Sequence, residues 1–286
     1  MKSTIFKFFS LFSVIRIYNI LVVILAQYLT AIFILDDQES FSSTLLDPYL
    51  FVIILCSSIS IASGYIINNF YDYEKDIINR PIRSNIDRSI RKRTKLNLYF
   101  SLNLLCIILS LFISIRAVIF FLIYNIILWL YSHKLKKILI LGNVLSSLLT
   151  ITPFFAIFLY YKNFSKIIAV YALFLFFIIL AKDLVKDLEN LKGDFTLNYK
   201  TIAVVYGEKF SKIAINTIII INYIIVISLI LYFDIGLMFY YYYLCLLVLT
   251  FVLFFIWRSN DKRDYLFIHN IMRALIISGI FSIILI

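Results

Sequence analysis

Nine apolar runs, most of them close to 20 residues long, follow one another through this chain of 286 residues. The hydrocarbon core of a bilayer is about 30 Å thick and a helix rises about 1.5 Å per residue, so roughly 20 apolar residues make one crossing. The runs are Ile17 to Leu35, Tyr49 to Asn69, Leu96 to Ile115, Ala117 to Tyr131, Ile138 to Tyr161, Phe164 to Ala181, Ile213 to Phe233, Ile235 to Trp257, and Tyr265 to Ile286. They predict an all-α polytopic membrane protein, a bundle of nine transmembrane helices. The chain is 63% hydrophobic and 15% charged, against roughly 45–50% and about 25% in soluble domains, which excludes a water-soluble fold. No soluble domain, linker or low-complexity tract interrupts the pattern, so residues 1–286 read as one membrane domain.

The opening MKSTIFKFFS resembles the charged start of a signal peptide. No small-residue cleavage site follows, and the apolar run continues into the first span, so the segment is expected to be retained. Cys56, Cys106 and Cys245 lie isolated in apolar spans, which suggests packing residues rather than a disulfide framework or a C-x-x-C metal site.

Charge placement orients the spans, because loops rich in Lys and Arg stay on the cytoplasmic side. With the N-terminus inside, all of the 27 basic residues except Arg116, Lys162 and Lys166 fall on the inner side or at inner helix ends. The first outer loop, DDQESFSSTLLD, is acidic. The net charge of +11 is then explained by topology and by attraction to anionic headgroups, with no need for nucleic acid. The reading is a multi-pass protein of the cell membrane, with its N-terminus and both polar inner loops cytoplasmic and its C-terminus outside.

Two of those loops, Tyr71 to Lys95 and Lys182 to Lys212, are long and acidic, and they sit four spans apart as an internal duplication would place them. In the first, Asn68, Asp72 and Asp76 recur every four residues. A helix continued from span two would line them on one face, roughly 6 Å apart along its axis. In the second, AKDLVKDLENLKGD, Asp183 and Asp187 repeat the spacing, with Glu189 and Asp194 nearby. Two such carboxylate stripes repel one another unless cations lie between them. Oxygen donors of this kind suit Mg²⁺, and with only His133 and His269 available no zinc or iron cluster is offered. A lone acidic loop is ordinarily a solvated one whose acids balance neighbouring bases. Two with matched i, i+4 acids abutting spans point instead to function. Arg16, Arg80, Lys136, Lys182 and Lys186 fall on the same side, where they could hold phosphate oxygens, so a diphosphate is the expected guest. The surrounding Phe, Tyr, Ile and Leu could line a groove for an apolar tail, although any single aromatic is better explained by lipid contact or packing.

These residues carry a resemblance. The string Asn68-x-x-x-Asp72-x-x-x-Asp76-x-x-Asn79-Arg80-Pro81 resembles the first aspartate-rich motif of the UbiA superfamily of intramembrane prenyltransferases, and KDLVKDLENLKGD resembles the second. Arg16 to Asn19 (RIYN) is similar to the Arg-x-x-Asn opening of span one, and Tyr131 to Asn143 (YSHKLKKILILGN) to the Y-S-x-x-L-K segment followed by Gly-Asn. Within the superfamily the pattern is most similar to the geranylgeranylglycerol-phosphate geranylgeranyltransferase branch. It departs from the usual pattern at Asn69 and Asn190, where Asp is frequent, and at Lys182-Asp183, where Arg-Glu is common.

The resemblance implies a Mg²⁺-dependent enzyme that transfers a prenyl group from a polyprenyl diphosphate within the bilayer. It implies two Mg²⁺ ions, one side held by Asn68, Asp72 and Asp76 and the other by Asp183 and Asp187. Lys136 and Arg80 would bind the departing oxygens, with Arg16, Asn19, Lys182 and Lys186 as further substrate-binding residues and Tyr131 facing the carbocation. The acceptor would be the hydroxyl of a prenylglycerol phosphate in ether-lipid synthesis or, in the quinone branches, an aromatic ring. The basic stretch Arg83 to Lys95 would receive an acceptor phosphate or, as the positive-inside bias favours, anchor its loop to headgroups. An ion-coupled transporter is the competing class. It would place ionisable groups near mid-membrane on broken helices, whereas here the acids gather at one face.

Overall fold

The computed structural model describes residues 10–35, 41–87 and 89–286. The N-terminal start, expected to be retained, lies outside the described residues up to position 9, as do the first five residues of the acidic first outer loop, Arg88, and the Arg83 side chain within the basic stretch. The described chain is helical and without strands, and nine of its helices are long and apolar enough to cross a membrane.

In chain order the helices that matter here are α1 (Ile17–Thr30, continued by a π-helical turn over Ala31–Leu35), α2 (Pro48–Tyr71), the short α3 (Tyr73–Asn79), α4 (Lys92–Leu111), α5 (Ile115–His133), α6 (Leu141–Tyr161), α7 (Lys166–Glu189), the short α8 (Leu191–Thr196), α9 (Gly207–Tyr232), α10 (Phe239–Arg258) and α11 (Lys262–Ser282). Each expected run corresponds to one spanning helix. The largest departure is the sixth, expected to end at Ala181 but continuing to Glu189, so Asp183 and Asp187 lie in the last turns of α7 and not in a loop after it.

Two helices form the centres of the packing. α2 lies against α4, α5 and α6, and α7 lies against α6, α9 and α11. α2 starts firmly: the Asp47 carboxylate accepts from Tyr49 N at 2.9 Å and Pro48 occupies the first helical position, where its missing N–H costs nothing. Its buried face carries the small residues Ser57, Ser58, Ser60, Ala62, Ser63 and Gly64. Small residues allow helices to approach closely in lipid, where no hydrophobic effect drives them together. Cys56 and Cys106, expected as isolated packing residues, face one another across α2 and α4, each thiol donating to the other's carbonyl at 3.7 and 3.6 Å; all three cysteines are free and buried.

α6 contains Pro153, which removes one helix hydrogen bond and leaves the Leu149 carbonyl without its usual donor. The Tyr124 hydroxyl of α5 donates to that carbonyl at 3.1 Å, and the buried Gln27 of α1 donates to the Pro153 carbonyl at 3.0 Å. Neighbouring helices thus satisfy backbone groups that lipid could not.

Candidate functional site

α2 ends at Tyr71, Asp72 bends the chain (φ −87°, ψ 6°), and α3 begins at Tyr73. Backbone hydrogen bonds from Asp72 to Asn68, Asp76 to Asp72 and Arg80 to Asp76, at 2.8–2.9 Å, carry the four-residue step through the bend. Asn68, Asp72 and Asp76 therefore share a face, as the spacing predicts. On the other side α8 turns back from the end of α7 and docks on α3, where Gly193 N donates to Asn79 Oδ1 at 3.2 Å. A Cβ on Gly193 would lie 2.5 Å from the Asn79 amide, and Asn79 is buried. Gly193→Ala is expected to lower stability by about 1–3 kcal/mol, as overpacking does; an unchanged melting temperature in detergent would show that Asn79 moves aside freely.

The two motifs meet through cations and a tyrosine. Lys136 Nζ lies 2.7 Å from Asp72 Oδ1 and donates to Asn68 Oδ1 at 2.9 Å, and the Tyr199 hydroxyl donates to the same Asp72 oxygen at 2.7 Å. Lys75 reaches from α3 to Asp194 on α8, Nζ to Oδ1 2.5 Å, with its ammonium 4.2 Å from the centre of the Tyr199 ring. Asp194 is fully buried; an uncompensated charge there would cost several kcal/mol, which the ion pair relieves. On α7, Asp183 Oδ2 accepts from Ser146 at 2.7 Å and Asp187 Oδ2 from Asn143 at 2.8 Å, both donors on α6.

The loop before α6 is strained where it sets Lys136 in place. Ile140 adopts φ 62°, ψ −48°, and Leu141 N bonds Leu139 O at 2.6 Å. This is the rare hand of γ-turn, unusual for a β-branched residue. Gly142 completes the turn, since a Cβ there would sit 2.7 Å from the Lys136 carbonyl oxygen.

Burial pushes the Asp72 carboxyl up, but Lys136 and Lys75 outweigh it and hold it below the usual carboxylate range. Burial and the neighbouring Asp72 charge push Asp76 the other way. Lys75 is held above the usual lysine range: burial opposes its charge, yet Asp194 and Asp72 overcome that opposition. Opposite shifts on adjacent carboxyls are expected where one is paired with cations and the other is not.

The remaining expected residues fall into place unevenly. Arg16 sits in a left-handed backbone conformation (φ 52°) with its guanidinium 5.0 Å from the Tyr65 ring centre, and with Arg80 it lines a small polar hollow beside Asn68 and Asp76. Asn19 donates to the Tyr65 hydroxyl at 3.0 Å and accepts from Arg273 at 3.2 Å, joining α1, α2 and α11. Arg80 lies 3.5 Å from Glu189, which also contacts His269 at 2.9 Å. Lys182 is 3.4 Å from its neighbour Asp183, and Lys186 is half-buried within the field of Asp183, Arg80 and Arg16. Tyr131 is half-buried, its hydroxyl against Ser146. Asn69, standing where Asp is frequent, bonds Asp87 at 2.9 Å and Lys95 at 2.6 Å and so ties down the basic loop. Sequence reading missed Lys75 as a site residue, counting it only among the inner bases, and it missed Tyr199, which no motif marks.

The donor chemistry fits a hard divalent cation. Asn68, Asp72, Asp76, Asp183 and Asp187 all offer oxygen. Among the described residues the Asp76 carboxylate makes no hydrogen bond or ion pair, and one oxygen each of Asp72 and Asp187 has none. No three acidic, histidine or cysteine side chains among the described residues stand close enough to enclose a cation unaided. Mg²⁺ typically binds through one or two carboxylates with substrate phosphates and water completing its shell.

Beyond this polar end lies an apolar cavity of about 830 Å³, counted with its open mouth, walled by α1, α6, α7, α10 and α11. Its wall on α7 runs from Ile178 back to Ile168, about 7 to 22 Å from Asp183 along the helix at 1.5 Å per residue.

Comparison with known proteins gives the chain's relatives. The chain is 34% identical over 164 residues to digeranylgeranylglyceryl phosphate synthase of Thermococcus gammatolerans, an alignment covering 56% of this chain and 58% of that protein. It is 30% identical over 245 residues to the protein of that name from Methanobrevibacter smithii, covering 76% and 81%. The chain thus spans little more than half the length of its Thermococcus relative. A solved structure of digeranylgeranylglyceryl phosphate synthase matches with a TM-score of 0.71 at 22% identity over 97% of both chains. A UbiA homologue from Archaeoglobus fulgidus bound to GPP and Mg²⁺ matches with a TM-score of 0.72 at 16% identity, over 97% of this chain and 100% of that one. The model of the UbiA prenyltransferase family matches residues 20–275, so this multi-pass membrane protein belongs to the UbiA prenyltransferase family.

Proposed function

We propose that the protein transfers a prenyl group from a polyprenyl diphosphate to the hydroxyl of a prenylglycerol phosphate, forming an ether lipid. The observation that carries this reading is the stacking of two environments: paired acids and lysines at one end of the bundle, and an apolar cavity along the same helices α1, α6 and α7. A substrate with a charged head and a long hydrocarbon tail matches both. The digeranylgeranylglyceryl phosphate synthases among the relatives support the glycerol-phosphate acceptor, and the inner position of most bases supports a cytoplasmic polar end in the cell membrane.

In the proposed reaction the C1–O bond of the prenyl diphosphate breaks and its electron pair leaves with the diphosphate. The acceptor oxygen then bonds C1, and the departing diphosphate takes up the hydroxyl proton. Lys136, fixed between Asn68 and Asp72, faces the leaving oxygens; Arg80 and Arg16 line the adjoining hollow, where they add positive charge without blocking the cavity. Asn68, Asp72 and Asp76 on one side and Asp183 and Asp187 on the other would hold Mg²⁺, which would supply neutralisation of the leaving diphosphate. The apolar walls below keep water from the allylic cation.

Incubating the purified protein with prenyl diphosphates of several lengths, Mg²⁺ and either prenylglycerol phosphate or an aromatic acid tests this. Mass spectrometry should find the ether product with the first acceptor only. Prenylation of the ring alone would assign the quinone chemistry, and absence of diphosphate release with either would return the protein to the transport class.

A further inference from the structure

On the prenyl-transfer reading above, we propose that Gly279 of α11 and Tyr241 of α10 set the length of prenyl tail that the protein accepts. Gly279 lets the Tyr241 ring lie back from the apolar cavity, which leaves a passage for a fourth isoprene unit beyond the third.

Three aromatic rings meet partway along that cavity. Phe174 of α7 packs edge to face on Tyr242, ring centres 5.4 Å apart, and on Tyr241 at 6.4 Å, and all three residues line the cavity. Phe174 precedes Asp183 by nine residues, about 13 Å of helix. An isoprene unit adds four bonds to a prenyl chain, about 4.5 Å when extended at ordinary bond lengths, so a tail starting at the acids brings its third unit to this level. The wall on α7 continues beyond the rings to Ile168, about 22 Å from Asp183, which leaves room for a fourth.

Gly279 decides how far Tyr241 intrudes. It lies one turn after Leu275 on α11, and the Tyr241 hydroxyl donates to the Leu275 carbonyl at 3.3 Å. A Cβ on Gly279 would fall 2.6 Å from that hydroxyl oxygen and 2.8 Å from the ring carbon that bears it, against the roughly 3.5–4.0 Å at which carbon atoms rest. Glycine inside a helix weakens it relative to alanine, and the close approach of Tyr241 is the physical reason for one here. Tyr241 is buried, with its ring 5.2 Å from that of Tyr242. The free space beside it is the cavity that it and Gly279 both line. A methyl group at position 279 therefore drives the ring into that space, at the level where the third unit ends.

The test is a competition between tails. Full-length protein in detergent is given equal amounts of the prenyl diphosphates of three and four isoprene units, with Mg²⁺ and the acceptor that supports transfer, and the products are counted by mass spectrometry. Wild type should favour four units by about tenfold and Gly279→Ala should favour three by about tenfold, discrimination of the size that a pocket wall gives for small apolar groups. Combining Gly279→Ala with Tyr241→Leu should restore the wild-type preference, because the smaller side chain leaves the passage open. A folded Gly279→Ala protein with the wild-type product ratio would overturn the proposal, as would a wild type that favours three units or a double variant that still does. If Gly279→Ala does not fold, Tyr241→Trp decides in its place: the larger ring should lower the four-unit share, and an unchanged share refutes the role. Wild type that releases no diphosphate with either tail would instead overturn the prenyl-transfer reading.

Discussion

Asp72→Asn is expected to reduce Mg²⁺-dependent prenyl transfer by about 10³-fold, or about 4 kcal/mol of transition-state stabilisation. Asp72 joins both halves of the site: it holds Lys136 at 2.7 Å and Tyr199 at 2.7 Å, and its second oxygen faces no donor among the described residues. The Asn variant keeps the shape and loses the charge. Lys136 then lacks its counter-ion, and the proposed metal loses a carboxylate. Breaking a buried pair can also destabilise a protein by about 3–5 kcal/mol, so the melting temperature must be measured beside the rate. A folded Asp72→Asn protein transferring radiolabelled prenyl groups at near wild-type rate would sink the assignment of this acid to the site.

For Lys136→Met the expected loss is about 10²–10³-fold in kcat, with KM changed far less. Charge accumulates on the diphosphate only as its bond to C1 breaks, so an ammonium aimed at those oxygens acts mainly on the transition state. Lys136→Arg should recover part of the rate at most. A planar guanidinium does not fit a point held between Asn68 Oδ1 and Asp72 Oδ1 at 2.9 and 2.7 Å. Steady-state kinetics with varied prenyl diphosphate separates the two parameters. A raised KM with unchanged kcat would mean that Lys136 binds the ground state and transition state equally and does not assist departure.

Much of the arrangement was legible beforehand, for identifiable reasons. Asn68, Asp72 and Asp76 are one helical turn apart, and the chain keeps that spacing through the bend at Asp72 because its backbone hydrogen bonds continue across it. The end of the sixth span was less legible. Asp183, Lys186 and Asp187 look like a loop in a hydropathy profile, yet α7 runs on to Glu189, with Ser146 and Asn143 of α6 each donating to one oxygen of Asp183 and Asp187. Asn69 reads as a weakened ligand in the motif string, whereas its contacts with Asp87 and Lys95 make it a tie between helix and loop.

The sequence by itself determined the solvent, the number of spans and the four-residue acid stripes, because apolar length and helical period are local properties of the chain. Only the tertiary structure decided which cation faces which acid. Tyr199 and Asp72 are 127 residues apart and Lys136 and Asn68 are 68 apart, and no spacing rule relates residues that meet only when separate helices pack. Lys75 shows the difference most plainly: in the sequence it is one more base on the inner side, and in the fold its long side chain reaches the buried Asp194 and the face of the Tyr199 ring.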